Sequence, residues 1–240
     1  RLAWLMLALV SLANYGNFYV YDSIGPVADL LQRLRGFSDS QIGMLNAIYS
    51  LPNIVLLLIG GMLVDRFGAA RMMVWTAVVC LAGTALTAFS PDFTGMAAGR
   101  LLFGIGAEPS SPATMTAVVT YFSGRNLAFA VGASIAVGRA GSFSADMSPT
   151  WFAAAYADGW QPPMIIATLL AALSVAMVAA YWWLDQKHGR ADPNTTPASK
   201  RISLRGTLSF GPAYWYLLVL CVLWYSVIFA FRSTFSIKYF

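Results

Sequence analysis

"GGMLVDRFGAAR", residues Gly60 to Arg71, closes one apolar run and opens another, with Asp65, Arg66, Gly68 and Arg71 between them. Upstream the apolar run reaches back to Ser40, and downstream a second one continues from Met72 to Phe89. Each is roughly 20 residues long, enough to cross a hydrocarbon core of about 30 Å as a helix. A helix satisfies its own backbone hydrogen bonds in lipid, so the stretch reads as the turn of a membrane hairpin. The rest of the 240-residue chain has the same character: 58% of its residues are hydrophobic and 10% charged, against about 25% charged in soluble domains.

Working outward from this hairpin, spans are expected at Leu2–Leu31, Ser40–Val64, Met72–Phe89, Phe93–Tyr121, Leu127–Tyr156, Pro162–Leu184 and Pro212–Phe231. The connections are short and rich in Gly, Ser, Pro and Asp, as turns are. The exception is "DQKHGRADPNTTPASKRISLRG", Asp185 to Gly206, which is long, polar and basic. The expected organisation is therefore a six-helix bundle over residues 1–184, a basic linker over 185–211 and a lone seventh helix over 212–240. The chain starts at Arg1 without methionine and stops at "SIKYF", so both ends read as cut and the rest of a second bundle as missing.

Charge placement orients the bundle, because Lys and Arg are retained on the cytoplasmic side. Arg1, Arg66, Arg71, Arg125, Lys187, Arg190, Lys200, Arg201 and Arg205 fall on the face of the N-terminus, against Arg33 and Arg35 opposite. The N-terminus and linker are thus expected in the cytoplasm. The net charge of +5 sits at helix ends, which points to lipid headgroups and not nucleic acid. A signal peptide would be one apolar segment ahead of a soluble body, and here the first run is one of many. Cys80 and Cys221 lie in separate spans and imply no disulfide framework. Histidine occurs once, at His188, and no Cys/His cluster or nucleophile with a base is present, so neither an enzyme nor a cofactor or metal site is expected. Alanine-rich helices and short loops suggest a bacterial inner membrane.

The same stretch resembles the loop between the second and third helices of the major facilitator superfamily, through Gly61, Leu63, Asp65, Arg66 and Gly68. Ala69 and Ala70 stand where the family pattern has basic residues, and Arg71 arrives late. A second family motif, an arginine in the fourth helix followed by Gly-x-Gly, fits Arg100, Gly104 and Gly106 in "RLLFGIG". Further stretches, "YD", "YSLPN", "GRLLFGIGAE" and "GRAGS", are similar to the branch of that superfamily that contains a lysosomal dipeptide exporter. The resemblance implies an all-α membrane protein of two inverted three-helix repeats that carries a small solute by alternating access. It also implies a latching role for Gly61, Asp65, Arg66, Gly68 and Arg71, and charge balance or proton coupling for Arg100.

Independently of the family, two charges stand out for their cost. At 1.5 Å per residue, Glu108 lies about 22 Å into the fourth span and Arg139 about 18 Å into the fifth, which runs the other way. An unpaired charge at such depth costs at least about 2.5–3.5 kcal/mol. One reading is a structural ion pair between adjacent antiparallel helices. The other gives Arg139 a carboxylate and Glu108 an ammonium, the two ends of a zwitterion such as a dipeptide. Tyr15, Tyr21, Asn14, Tyr49, Asn53, Ser134 and Ser142 are candidate neutral contacts. Asp22 is a further candidate if Gly25-Pro26 bends the first helix toward the cavity, and Pro52, Pro109 and Pro112 invite breaks or kinks as well. Arg100 is placed nearer the outer surface, within reach of snorkelling. Uniport, exchange and proton coupling stay open, as do an organic anion or sugar phosphate as substrate and a non-transporting receptor of the same fold.

Overall fold

The computed structural model describes residues 2–188 and 211–230, without the side chains at 53, 54, 57, 58, 125, 225 and 227–230. Every regular element among the described residues is helical. Span 1 is α1 (Leu2–Asp22) continued by α2 (Ile24–Arg35). Span 2 is α3 (Asp39–Ala47), a 3₁₀ turn (Ile48–Ser50) and α4 (Asn53–Phe67). Spans 3, 4 and 5 are α5 (Ala69–Phe89), α6 (Phe93–Tyr121) and α7 (Arg125–Trp151); a short α8 (Ala153–Ala157) leads into span 6, α9 (Gln161–His188). The six spans make one compact unit, and α10 (Pro212–Ala230) belongs to a second. Most of the expected linker, residues 189–210, lies outside the described residues, and Asp185 to His188 are instead the last turn of α9.

Local chemistry explains the boundaries. Span 2 starts with a capping box, in which the Ser38 hydroxyl accepts from the Gln41 N–H at 3.2 Å and the Gln41 amide oxygen accepts from the Ser38 N–H at 2.9 Å. Asp92 caps α6 by accepting from the Gly95 N–H. Spans 2 and 3 are separated by Gly68 alone, at φ 84°, a backbone conformation that side chains disfavour. Span 1 breaks at Asp22-Ser23, one turn before Pro26, because proline has no N–H and its ring crowds the carbonyl four residues earlier, that of Asp22. Pro52 acts in the same way on the carbonyl of Ile48, where span 2 tightens into its 3₁₀ turn. Pro109 and Pro112, expected to kink span 4, leave α6 helical throughout its 29 residues.

The packing order is not the chain order. Span 1 packs on spans 5 and 6, span 4 packs on spans 2 and 3, and spans 3 and 6 pack together. The first helix of each three-helix repeat therefore lies on the second and third helices of the other repeat. The symmetry reaches individual atoms. A Cβ on Gly16 of span 1 would meet the Leu170 carbonyl oxygen at 2.8 Å and the Ser174 hydroxyl at 2.1 Å; one on Gly106 of span 4 would meet the Thr76 carbonyl oxygen at 2.7 Å and the Cys80 sulfur at 2.8 Å. In both cases the glycine of a first helix faces a carbonyl and, one turn on, a small polar side chain of a third helix. This arrangement corrects the expectation that spans 4 and 5 are antiparallel neighbours: they hardly touch, and span 1 takes the place of each beside the other.

Close backbone approach is tightest at Gly104, where a Cβ would lie 2.1 Å from the Tyr49 carbonyl oxygen of span 2. Backbone cannot yield as a flexible side chain does, so Gly104→Ala is expected to destabilise the bundle by about 1–3 kcal/mol or more. Gly132→Ala, on an exposed helical position with nothing within 4 Å, is expected to be neutral or slightly stabilising. Thermal unfolding of the two variants in detergent checks the contrast.

Candidate functional site

Arg100 is 1% exposed, so it does not snorkel to the outer surface as expected. Its guanidinium donates from Nε to the Leu45 carbonyl at 3.2 Å and from its two terminal nitrogens to the carbonyls of Val20, at 3.1 Å, and Tyr21, at 2.9 Å. Those carbonyls lie in the last turns of α1 and α3, beside the helix breaks, and that of Val20 also accepts from the Ser23 backbone N–H at 3.3 Å. One arginine thus caps two broken helices from a third, using the planar fork that sets it apart from lysine. Its face stacks over the rings of Tyr49, 4.9 Å away, and Phe103, 5.5 Å away. Asp22, half-buried beside the break, interacts electrostatically with Arg100, Tyr21 and Tyr49.

Glu108 and Arg139 are both half-buried. No ion pair joins them, and among the described residues neither side chain has a hydrogen bond or a charged partner; Arg139 instead lies over the Phe18 ring at 5.1 Å. From Phe18 the rings continue to Tyr21 at 6.4 Å and on to Tyr49 at 4.3 Å, the ring under Arg100. The two cations therefore end a row of three aromatic rings. The depth of the two free charges matches. Asn17, beside Phe18, donates to the Ser110 hydroxyl at 3.5 Å, and Ser110 is two residues from Glu108. Span 1 stands between them, so Glu108 and Arg139 occupy one level without touching.

The remaining candidates divide. Tyr49 is buried, and Tyr15 and Tyr21 are half-buried, while Asn53 opens α4 with its side chain outside the described residues. Asn14 donates to Ser134 at 3.3 Å and so ties span 1 to span 5. Asp65, Arg66 and Arg71 are exposed at the turn around Gly68, with Arg66 over the Phe67 ring. Gly61 meets nothing within 4 Å; the close approach is made by its neighbour Gly60, whose Cβ would lie 3.0 Å from Pro109 Cα. Sequence reasoning missed Phe18, Asn17 and Ser110, which carry no charge and follow no motif. It also missed Asp185, read as linker, which is buried and accepts from the Tyr121 hydroxyl at 2.5 Å. Among the described residues no group of three or more His, Cys, Asp or Glu side chains is placed to hold a metal.

The profile described as the Major Facilitator Superfamily matches residues 7–239. The chain belongs to that superfamily. This family is one of transporters, not of enzymes, and the chain is a multi-pass membrane protein. Among its relatives, the lysosomal dipeptide transporter MFSD1 of Homo sapiens is 26% identical over 240 residues, which cover 95% of this chain and 52% of that protein. The hexuronate transporter of Escherichia coli strain K12 is 26% identical over 209 residues, covering 85% of this chain and 46% of that protein. The chain spans about half the length of these curated relatives. A crystal structure of an auto-inhibited peptide transporter of the POT family superposes with a TM-score of 0.59 at 20% identity, over 76% of this chain and 37% of that one, and so shares the fold.

Proposed function

We propose that this chain is the N-terminal bundle, with the first helix of the C-terminal bundle, of a major facilitator transporter that moves dipeptides by alternating access. The observation that carries the reading is that Glu108 and Arg139, at one depth on either side of span 1, have no hydrogen-bonded or oppositely charged partner among the described residues. Buried or half-buried charges are expected to be paired, and here the natural partner is a solute of both signs. An extended dipeptide reaches about 7 Å, and a hydrogen bond of about 3 Å at each end bridges charges roughly 13 Å apart. Helices flanking a common neighbour sit on that scale, each about 8–10 Å from it. A free amino acid, whose charges share one carbon, meets only one of the two. The name of the dipeptide-transporting relatives supports the same class.

The organic-anion reading required Arg100 and Arg139 to bind negative charge together. Three carbonyls take three of the five N–H donors of Arg100, which is 1% exposed, and this leaves Arg139 as the accessible arginine for an anion. Under our reading Arg100 holds the breaks that shape the cavity, residues 1–184 form the bundle, and 185–211 connect it to the next one. The N-terminus and linker face the cytoplasm, in keeping with their basic residues, and a bacterial inner membrane is the proposed host. With no charged partner among the described residues, Glu108 takes a proton as substrate leaves, which couples transport to protons.

The test is counterflow in liposomes containing the full-length transporter. Neutral dipeptides are expected to exchange, while free amino acids and hexuronates are not. Exchange of hexuronate with no response to dipeptides would overturn the reading.

A further inference from the structure

Ser142, in span 5, is 1% exposed, and its hydroxyl has no hydrogen-bond partner among the described residues. Buried hydroxyls elsewhere in the bundle turn back onto a carbonyl three or four residues earlier, as those of Thr76, Thr84, Thr87 and Ser148 do. Ser134, two turns away in the same span, accepts from Asn14. Ser142 does neither. Leaving a buried polar group unbonded is costly, and native structures keep few such groups without a reason.

The reason lies one turn back along span 5. Gly138 and Arg139 precede Ser142 by four and three residues, so the three share one side of the helix. Both of these neighbours meet Phe18 of span 1: Arg139 lies over its ring at 5.1 Å, and a Cβ on Gly138 would meet ring carbons at 2.9 and 3.1 Å. Glycine at 138 thus lets the ring rest directly on the backbone of span 5. A buried hydroxyl and a guanidinium, both donors and both without an acceptor among the described residues, therefore stand together beside one aromatic side chain. We infer that Arg139 and Ser142 together form the pocket for the carboxylate of the transported solute, and that Phe18 covers this pocket until the solute arrives. A carboxylate accepts both bonds of the guanidinium fork and keeps lone pairs for the hydroxyl. Its arrival replaces the cation–π contact of Arg139 with an ion pair and gives Ser142 the bond it lacks. The ring then turns away from Gly138, which has no side chain to interlock with it.

The inference rests on the reading of Arg139 as the residue that takes the carboxylate, and the test separates the two. The purified full-length transporter is titrated with a neutral dipeptide, its carboxyl-amidated form and a hexuronate, with the melting temperature as readout of binding. Ser142→Ala is expected to weaken dipeptide binding about tenfold, to leave binding of the amidated form as in the wild type, and to leave the melting temperature without solute equal or higher, because no protein bond is lost. Phe18→Leu is expected to tighten dipeptide binding about threefold, since the cover no longer competes for Arg139. If Ser142 instead holds a structural water, Ser142→Ala lowers the melting temperature and leaves dipeptide binding unchanged; that result overturns the inference while the dipeptide reading stands. Weaker binding by Phe18→Leu makes the ring a wall of the site and overturns its covering role. If the hexuronate stabilises the wild type and the dipeptide does not, the dipeptide reading falls, and the same two substitutions decide the pocket with hexuronate as the probe. A wild type that neither carboxylate stabilises overturns both.

Discussion

Arg100→Ala is expected to lower the melting temperature of the full-length transporter by roughly 10 °C, the scale of a loss of about 3–5 kcal/mol in a unit of this size. The reason is the number of groups it leaves behind. The carbonyls of Val20, Tyr21 and Leu45 lose their donors together, and a buried polar group without a partner costs about 1–3 kcal/mol. The Ser23 hydroxyl, at 2.7 Å, and the Ser23 backbone N–H, at 3.3 Å, also donate to Val20, so that carbonyl keeps two bonds and the three losses do not simply add. Arg100→Lys is expected to recover less than half of the difference. Its three donors sit on one nitrogen and cannot serve carbonyls of two separate spans as the planar fork does. Hydrogen exchange gives the local readout: amides around Ser23 and around Ile48 should lose protection first, since those are the breaks the arginine holds. An unchanged melting temperature for Arg100→Ala would show that the capping contributes little.

Glu108→Gln and Arg139→Ala are each expected to cut dipeptide transport by about ten- to a hundredfold while leaving the melting temperature within a degree or two of the wild type. A hydrogen bond to a charged group is worth about 1.5–3 kcal/mol, which sets the size of the transport loss. The lack of an effect on stability follows from the structure, in which neither side chain has a bonded protein partner among the described residues. A structural ion pair predicts the opposite pattern, since removing one member of a buried pair costs about 3–5 kcal/mol. Modified substrates sharpen the assignment. A dipeptide with an acetylated amino end should be insensitive to Glu108→Gln, and one with an amidated carboxyl end insensitive to Arg139→Ala. If each variant instead responds to the opposite modification, or both respond equally to either, the two residues do not divide the termini as proposed.

The positions of the spans, the short turns and the family were legible in the sequence, because each rests on a local requirement. A helix in lipid must bond its own backbone, a one-residue turn such as that at Gly68 needs φ above zero, and a proline disturbs the carbonyl four residues before it. The same logic marked Glu108 and Arg139 as costly charges before any neighbour was known. What surrounds those charges was decided by the tertiary structure. Because the first helix of each repeat packs into the other repeat, helices consecutive in the chain are not partners, and Arg139 meets Phe18 instead of Glu108. Arg100 finds acceptors 55 to 80 residues away in the sequence, and the structure puts those carbonyls, in the last turns of α1 and α3, within its reach. Burial cost is a property of one residue and its segment, whereas the identity of a partner belongs to the packing of segments, and that is where sequence and structure parted.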